Sequence, residues 1–119
     1  MNQQRKWHQL QCIVRRYAAR QKFGKHVDES VALNRASCTG YTLLVYLNYP
    51  GMCVAGTLQP GLVGGETVFY GRRGKKVAAV EPRAGMALLH IHGDECLEHE
   101  GAEVVRGFKY VLRSDVVFE

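Results

Sequence analysis

A chain of 119 residues, 46% hydrophobic and 23% charged, has room for one globular domain with a modest core. No run approaches the ~20 apolar residues of a membrane helix, and no apolar leader opens the chain, which excludes a membrane segment here and points to the cytoplasm. The formal charge of +5 gathers at residues 5–25 and at Arg72-Arg73-Gly74-Lys75-Lys76, but no aromatic stacking motif accompanies it, so nucleic acid is not the expected partner.

Residues 1–10 are polar and basic and read as an N-terminal extension, with the folded domain covering 11–119. Residues 12–17 are the first predicted strand and 23–28 the second. The small, polar stretch 29–40 reads as a loop. Residues 41–47, Tyr-Thr-Leu-Leu-Val-Tyr-Leu, form the strongest predicted strand, because β-branched and aromatic side chains suit a pleated surface. A Gly- and Pro-punctuated loop runs to Gly65. Strands follow at 67–70 and 76–80, joined through the basic tip with its side chains in water. Further strands are expected at 86–91, 96–100 and 108–118. There is no amphipathic helix of ten residues and no internal repeat. About eight short strands with turn signals between them predict an all-β sandwich or barrel.

Cys12, Cys38, Cys53 and Cys96 form no C-x-x-C. Their spacing fits neither a zinc knuckle nor a disulfide framework, so reduced thiols are expected.

His26-Val27-Asp28 carries the first chemical signal. On a strand, residues two apart point the same way, so imidazole and carboxylate share a side. With one distant histidine they would make a two-His-one-carboxylate facial triad, which suits non-haem Fe(II) and leaves positions open. Alone, an H-x-D is as readily a surface histidine beside a capping acid.

The downstream text adds to it. Arg16-Tyr17 precedes H-V-D at 26–28. Then come T-L-L-V-Y-L-N at 42–48, G-G-E-T-V-F at 64–69, P-R-A-G-M-A-L-L at 82–89, H-E-G at 99–101 and G-F-K-Y at 107–110. In this order and spacing the chain resembles the catalytic core of the prolyl 4-hydroxylase superfamily of 2-oxoglutarate- and iron(II)-dependent dioxygenases. The resemblance implies a double-stranded β-helix, or jelly roll, with the metal between its sheets. It implies His26, Asp28 and His99 as iron ligands and Lys109 as the base for the distal carboxylate of 2-oxoglutarate. It also implies Tyr17, Tyr46 and Thr67 as the lining of the co-substrate pocket. The implied reaction uses O2, couples 2-oxoglutarate decarboxylation to hydroxylation of a peptide or small molecule, and draws on L-ascorbate to keep iron reduced. Arg113, about 13 Å along the strand from Lys109, is the second choice of base.

Three positions depart from the family pattern. Arg20 stands where a glycine is common, and Thr39 and Asp115 stand where peptide prolyl hydroxylases carry arginine and tryptophan. The helices that precede the family's core have no counterpart here. The alternative is therefore a truncated or non-catalytic jelly-roll module that binds a metal or partner and leaves an apolar sheet face to be covered. A third reading is a cupin-like metal site built on His90-Ile91-His92, although its glycine and glutamate spacings miss the cupin pattern.

Overall fold

The computed structural model describes residues 7–9, 12–48, 53–58 and 61–118. Strands β1 (Trp7–Gln9), β2 (Ile13–Tyr17), β4 (Cys38–Tyr46), β10 (Ala87–Ile91) and β13 (Lys109–Phe118) form the larger sheet. Strands β3 (Phe23–His26), β8 (Thr67–Tyr70), β9 (Lys76–Val80) and β11 (Glu98–Gly101) form the smaller one. Two short ribbons complete the strands: β5 (Cys53–Val54) with β6 (Thr57–Leu58), and β7 (Val63–Gly64) with β12 (Val104–Arg106). Every pairing is antiparallel, and the two sheets face each other as a jelly roll.

The register of the larger sheet decides which side chains meet the smaller one. Cα partners in antiparallel strands share a face. Lys109 pairs with Tyr17, Val111 with Tyr46 and Arg15, Arg113 with Leu44, and Asp115 with Thr42, which also faces His90. These residues line the inner face. Alternation puts Val14, Leu112, Val45, Leu43, Leu89 and Ile91 on the outer face. There Val14 is 59% and Leu89 56% exposed, so the larger sheet presents an exposed apolar outer face.

Several local differences from the sequence reading have simple causes. Strand β4 starts at Cys38 because the preceding loop closes on itself. Ala32 bridges to Cys38, and Thr39 accepts from Val31 N at 2.8 Å through its hydroxyl while its own N–H donates to Val31 O at 2.9 Å. Residues 7–9 of the polar extension pair with the end of β13. The rest of that extension, residues 1–6 and 10, lies outside the described residues, as do 49–52 and 59–60 of the long loop. The basic tip turns through a 3₁₀ turn, Arg72–Gly74, with its side chains exposed as expected. Strand β3 ends at His26, so Asp28 sits just past the strand, where Gly93 N donates to its carbonyl at 2.9 Å. Among the described residues no helix is long and apolar enough to cross a membrane.

Candidate metal centre and adjoining cleft

Pairing of β3 with β11 makes His26 and His99 Cα partners, and their rings lie 4.3 Å apart between centroids. Each ring is oriented by its own backbone. His26 Nδ1 donates to Gly24 O at 2.7 Å and His99 Nδ1 to Leu97 O at 2.8 Å. A carbonyl can only accept, so both Nδ1 atoms carry protons and both Nε2 atoms are turned inward as potential ligands. They face Asp28, at 3.3 Å from Oδ1 for His26 and 3.6 Å from Oδ2 for His99. One ligand atom from each of the three residues lies within 4.8 Å of the others.

Asp28 is 8% exposed and accepts from Thr42 Oγ1 at 2.7 Å. Burial opposes its ionisation, yet hydrogen bonds from His99 and Thr42 and the charges of His99 and Arg113 hold its carboxyl well below the usual range. His99 is as deeply buried. Burial disfavours its charge, but the bond to Asp28 and the Leu97 carbonyl outweigh that and raise its pKa. A proton bound at His99 Nε2 would face Asp28. A divalent cation would take that proton's place, which is the fit expected of a ligand set of two imidazoles and a carboxylate.

His90 and His92 behave differently from each other. His90 Nε2 lies 3.6 Å from Asp28 Oδ2, and burial followed by the charge of His99 lowers the pKa of His90 to about 4. Its Nδ1 is buried without a hydrogen-bond partner among the described residues. His92 has both nitrogens engaged, Nε2 with Thr42 Oγ1 at 2.6 Å and Nδ1 with Thr39 Oγ1 at 3.0 Å. No candidate ligand group among the described residues pairs His90 with His92.

At the other end of the same cleft lies Lys109, 5% exposed, with Nζ 5.2 Å from the centre of the Tyr17 ring. Two glycines leave room for it. A Cβ on Gly101 would stand 3.6 Å from Nζ, and one on Gly65 would stand 3.0 Å from Cδ. Burial lowers the Lys109 pKa to about 8, partly offset by Glu66. Lys109 takes no part in the ion pairs found among the described residues. A buried ammonium with such surroundings calls for an anion. Tyr46, fully buried, shares a 2.6 Å hydrogen bond with Thr67 Oγ1 in the wall between Lys109 and the histidines. Arg113 turns to Asp28 and Asp115, 3.9 Å from each, so its charge is already matched. Lys109, unlike Arg113, has no ion pair among the described residues.

Beyond Asp28 a second hollow is lined by Val27 and Val31 together with Glu29, Thr39, His92, Arg113 and Asp115. Sequence reading had no signal for Thr42 as the residue that holds Asp28, or for Asn48. The Asn48 side-chain amide donates to Phe108 O and accepts from Tyr110 N at 2.7 Å, fixing the start of β13 and so the base of Lys109. The two residues bound the T-L-L-V-Y-L-N motif, but the role of each is visible only once the strand register is known.

The family model described as the 2OG-Fe(II) oxygenase superfamily matches residues 12–114. No curated protein matches the chain. Among solved structures, the fold is similar to a viral collagen prolyl hydroxylase from Paramecium Bursaria Chlorella virus-1 in complex with 2OG, with TM-score 0.65 and 23% identity over 93% of this chain and 60% of that one. It is also similar to a Pseudomonas putida prolyl-4-hydroxylase, with TM-score 0.60 and 21% identity over 87% of this chain and 50% of that one. A third is a Trichoplax adhaerens prolyl hydroxylase bound to a hypoxia-inducible-factor peptide, with TM-score 0.63 and 23% identity over 92% of this chain and 44% of that one. The chain thus spans roughly half the length of the structures it resembles.

Proposed function

The chain belongs to the 2OG-Fe(II) oxygenase superfamily, and on that premise we propose that it is an iron(II)- and 2-oxoglutarate-dependent dioxygenase that hydroxylates a C–H bond. One observation carries the reading. The inward Nε2 atoms of His26 and His99 converge on Asp28, in the same cleft as the buried Lys109.

In this reading His26, Asp28 and His99 hold the metal, and Lys109 takes the distal carboxylate of 2-oxoglutarate as a compact charge. Thr67, with Tyr46 and Tyr17, shapes the cleft between them. Bound ferrous iron supplies oxygen chemistry coupled to decarboxylation of 2-oxoglutarate, giving succinate and CO2. The protein's share is to orient the co-substrate and to keep the imidazoles in the ligating tautomer through the Gly24 and Leu97 carbonyls. L-ascorbate is the reductant we assign to the assay.

The prime substrate belongs to the second hollow, beside Asp28. Peptidyl proline is the leading candidate, because relatives in the fold are described as prolyl hydroxylases. Thr39 and Asp115 line the hollow and depart from the peptide-binding pattern, which makes a small polar molecule the second candidate. The test is succinate formation from 2-oxoglutarate with Fe(II) and ascorbate. His99→Ala, folded by circular dichroism, should lose it; unchanged turnover in that variant would move the site elsewhere.

The exposed outer face of the larger sheet favours one competing reading, a jelly-roll module that needs a covering element before it turns over. Iron and 2-oxoglutarate binding without succinate formation would select that reading.

A further inference from the structure

We propose that His92 is a positioning residue for the metal centre, acting on Asp28 through a relay of two threonine hydroxyls. The proposal rests on the reading of Asp28 as a metal ligand, and adds to it a residue outside the ligand set.

The relay starts from an irregularity in β4. Val116 pairs with Tyr41 and Val117 with Thr39, so Gly40 is an extra residue, a bulge. In a regular strand Thr39 and Thr42 would point to opposite faces. Here they are 3% and 1% exposed, and both turn to the same imidazole, that of His92. Gly40 also accepts the His92 N–H on its carbonyl at 2.8 Å, which seats the ring between the two hydroxyls.

The direction of each hydrogen bond follows from the two ends. Val31 N–H donates to Thr39 Oγ1 at 2.8 Å, and Thr42 Oγ1 donates to Asp28 Oδ2 at 2.7 Å. Thr42 has a single hydroxyl proton, so toward His92 it can only accept. His92 Nε2 therefore carries a proton and donates it at 2.6 Å. Burial lowers the His92 pKa and favours the neutral ring, so Nδ1 accepts from Thr39 Oγ1 at 3.0 Å. Asp115 Oδ1 is the other acceptor near Nε2, but at 3.8 Å it is beyond hydrogen-bond reach. Each threonine hydroxyl thus takes one bond and gives one, and the bonds of such a chain polarise one another.

The last link sets how Asp28 is presented. With Oδ2 held by Thr42, Oδ1 is left without a hydrogen bond among the described residues, 3.3 Å from His26 Nε2. A carboxylate free to rotate would have to be ordered whenever a cation binds; the relay orders it beforehand.

Cobalt(II) is the probe, titrated anaerobically by calorimetry into the whole chain. Thr42→Val should weaken binding on the order of tenfold, and His92→Leu by a smaller factor. Because the two residues act in series, His92→Leu should cost nothing further once Thr42 is valine. Thr42→Ser keeps the hydroxyl and should bind as the wild type does. A merely structural role would lower stability and leave affinity alone. Wild-type affinity in Thr42→Val and His92→Leu, both folded by circular dichroism, would therefore overturn the proposal. So would a full second loss from His92→Leu in the Thr42→Val background. NMR of the ring nitrogens in the metal-free wild type gives a readout that needs no variant to fold. It should show His92 as the Nε2–H tautomer at neutral pH; an Nδ1–H or doubly protonated ring would overturn the relay. A folded wild type that takes up no cobalt would overturn the metal reading and the positioning role together, whereas uptake without the series pattern would overturn the positioning role alone.

Discussion

His26 and His99 are direct partners across β3 and β11, and each donates its Nδ1–H to a backbone carbonyl two residues earlier in the chain. The pairing register and the two carbonyls together aim both Nε2 atoms at Asp28. Because His99 holds its proton more tightly than a free imidazole, iron must displace that proton. With the His99 pKa raised, iron affinity should begin to fall above the ordinary imidazole value of 6.5 as pH drops, by about tenfold per pH unit once His99 is protonated. Binding should release a proton over that range. Calorimetric titration in buffers of different ionisation enthalpy measures both quantities; a flat affinity from pH 5 to 8 would remove His99 from the ligand set.

Lys109 should trade stability for binding. Its folded pKa of about 8 lies below its ordinary 10.5, so between those values the unfolded chain binds more protons than the folded one. Stability from this group rises with pH across that window, and below about 8 the full penalty of a buried charge applies. Lys109→Met should stabilise the fold at pH 7 by about 1–3 kcal/mol, with the advantage shrinking as pH approaches 10.5. The same variant should lose 2-oxoglutarate binding. Denaturant midpoints across pH, paired with co-substrate titration, check both halves.

Gly101 should matter for space and not for backbone freedom. An added Cβ would meet Lys109 Nζ at 3.6 Å and Phe23 Cβ at 3.3 Å. Gly101→Ala should weaken 2-oxoglutarate binding about tenfold by filling the place of its carboxylate, while iron binding stays near wild type. An unchanged co-substrate affinity would put the carboxylate somewhere other than beside Lys109.

Much of this was readable without coordinates. H-V-D, H-E-G and G-F-K-Y name the residues that the register brings into one cleft, because alternation along β13 and β4 fixes which side chains face inward. Strands β8 and β9 fall at their expected residues, since short apolar runs bounded by Gly and charge leave little choice. His90 was harder to read. As part of H-I-H it suggested a pair with His92, but only the β10–β4 register, with His90 opposite Thr42, brings it beside Asp28. His92 instead spends both nitrogens on Thr39 and Thr42, hydroxyls far away in sequence. Long-range hydrogen bonds of that kind carry no local pattern.

The outer face of the larger sheet should drive association. Leu89 and Ile91 are exposed beside Leu43, an apolar stripe of the kind monomers usually cover. Replacing both Leu89 and Ile91 by lysine should reduce concentration-dependent association in sedimentation velocity and leave metal binding intact, because both point away from the cleft. Association unaffected by the double variant would place the sticky surface elsewhere.

The central claim is that iron and 2-oxoglutarate share one cleft between Asp28 and Lys109. Anaerobic Fe(II) addition with and without 2-oxoglutarate tests it through the visible metal-to-ligand charge-transfer band. The account predicts a band that needs both components and is absent in Lys109→Met and in His26→Ala. A folded protein that gives no band, or a band indifferent to Lys109, would contradict it.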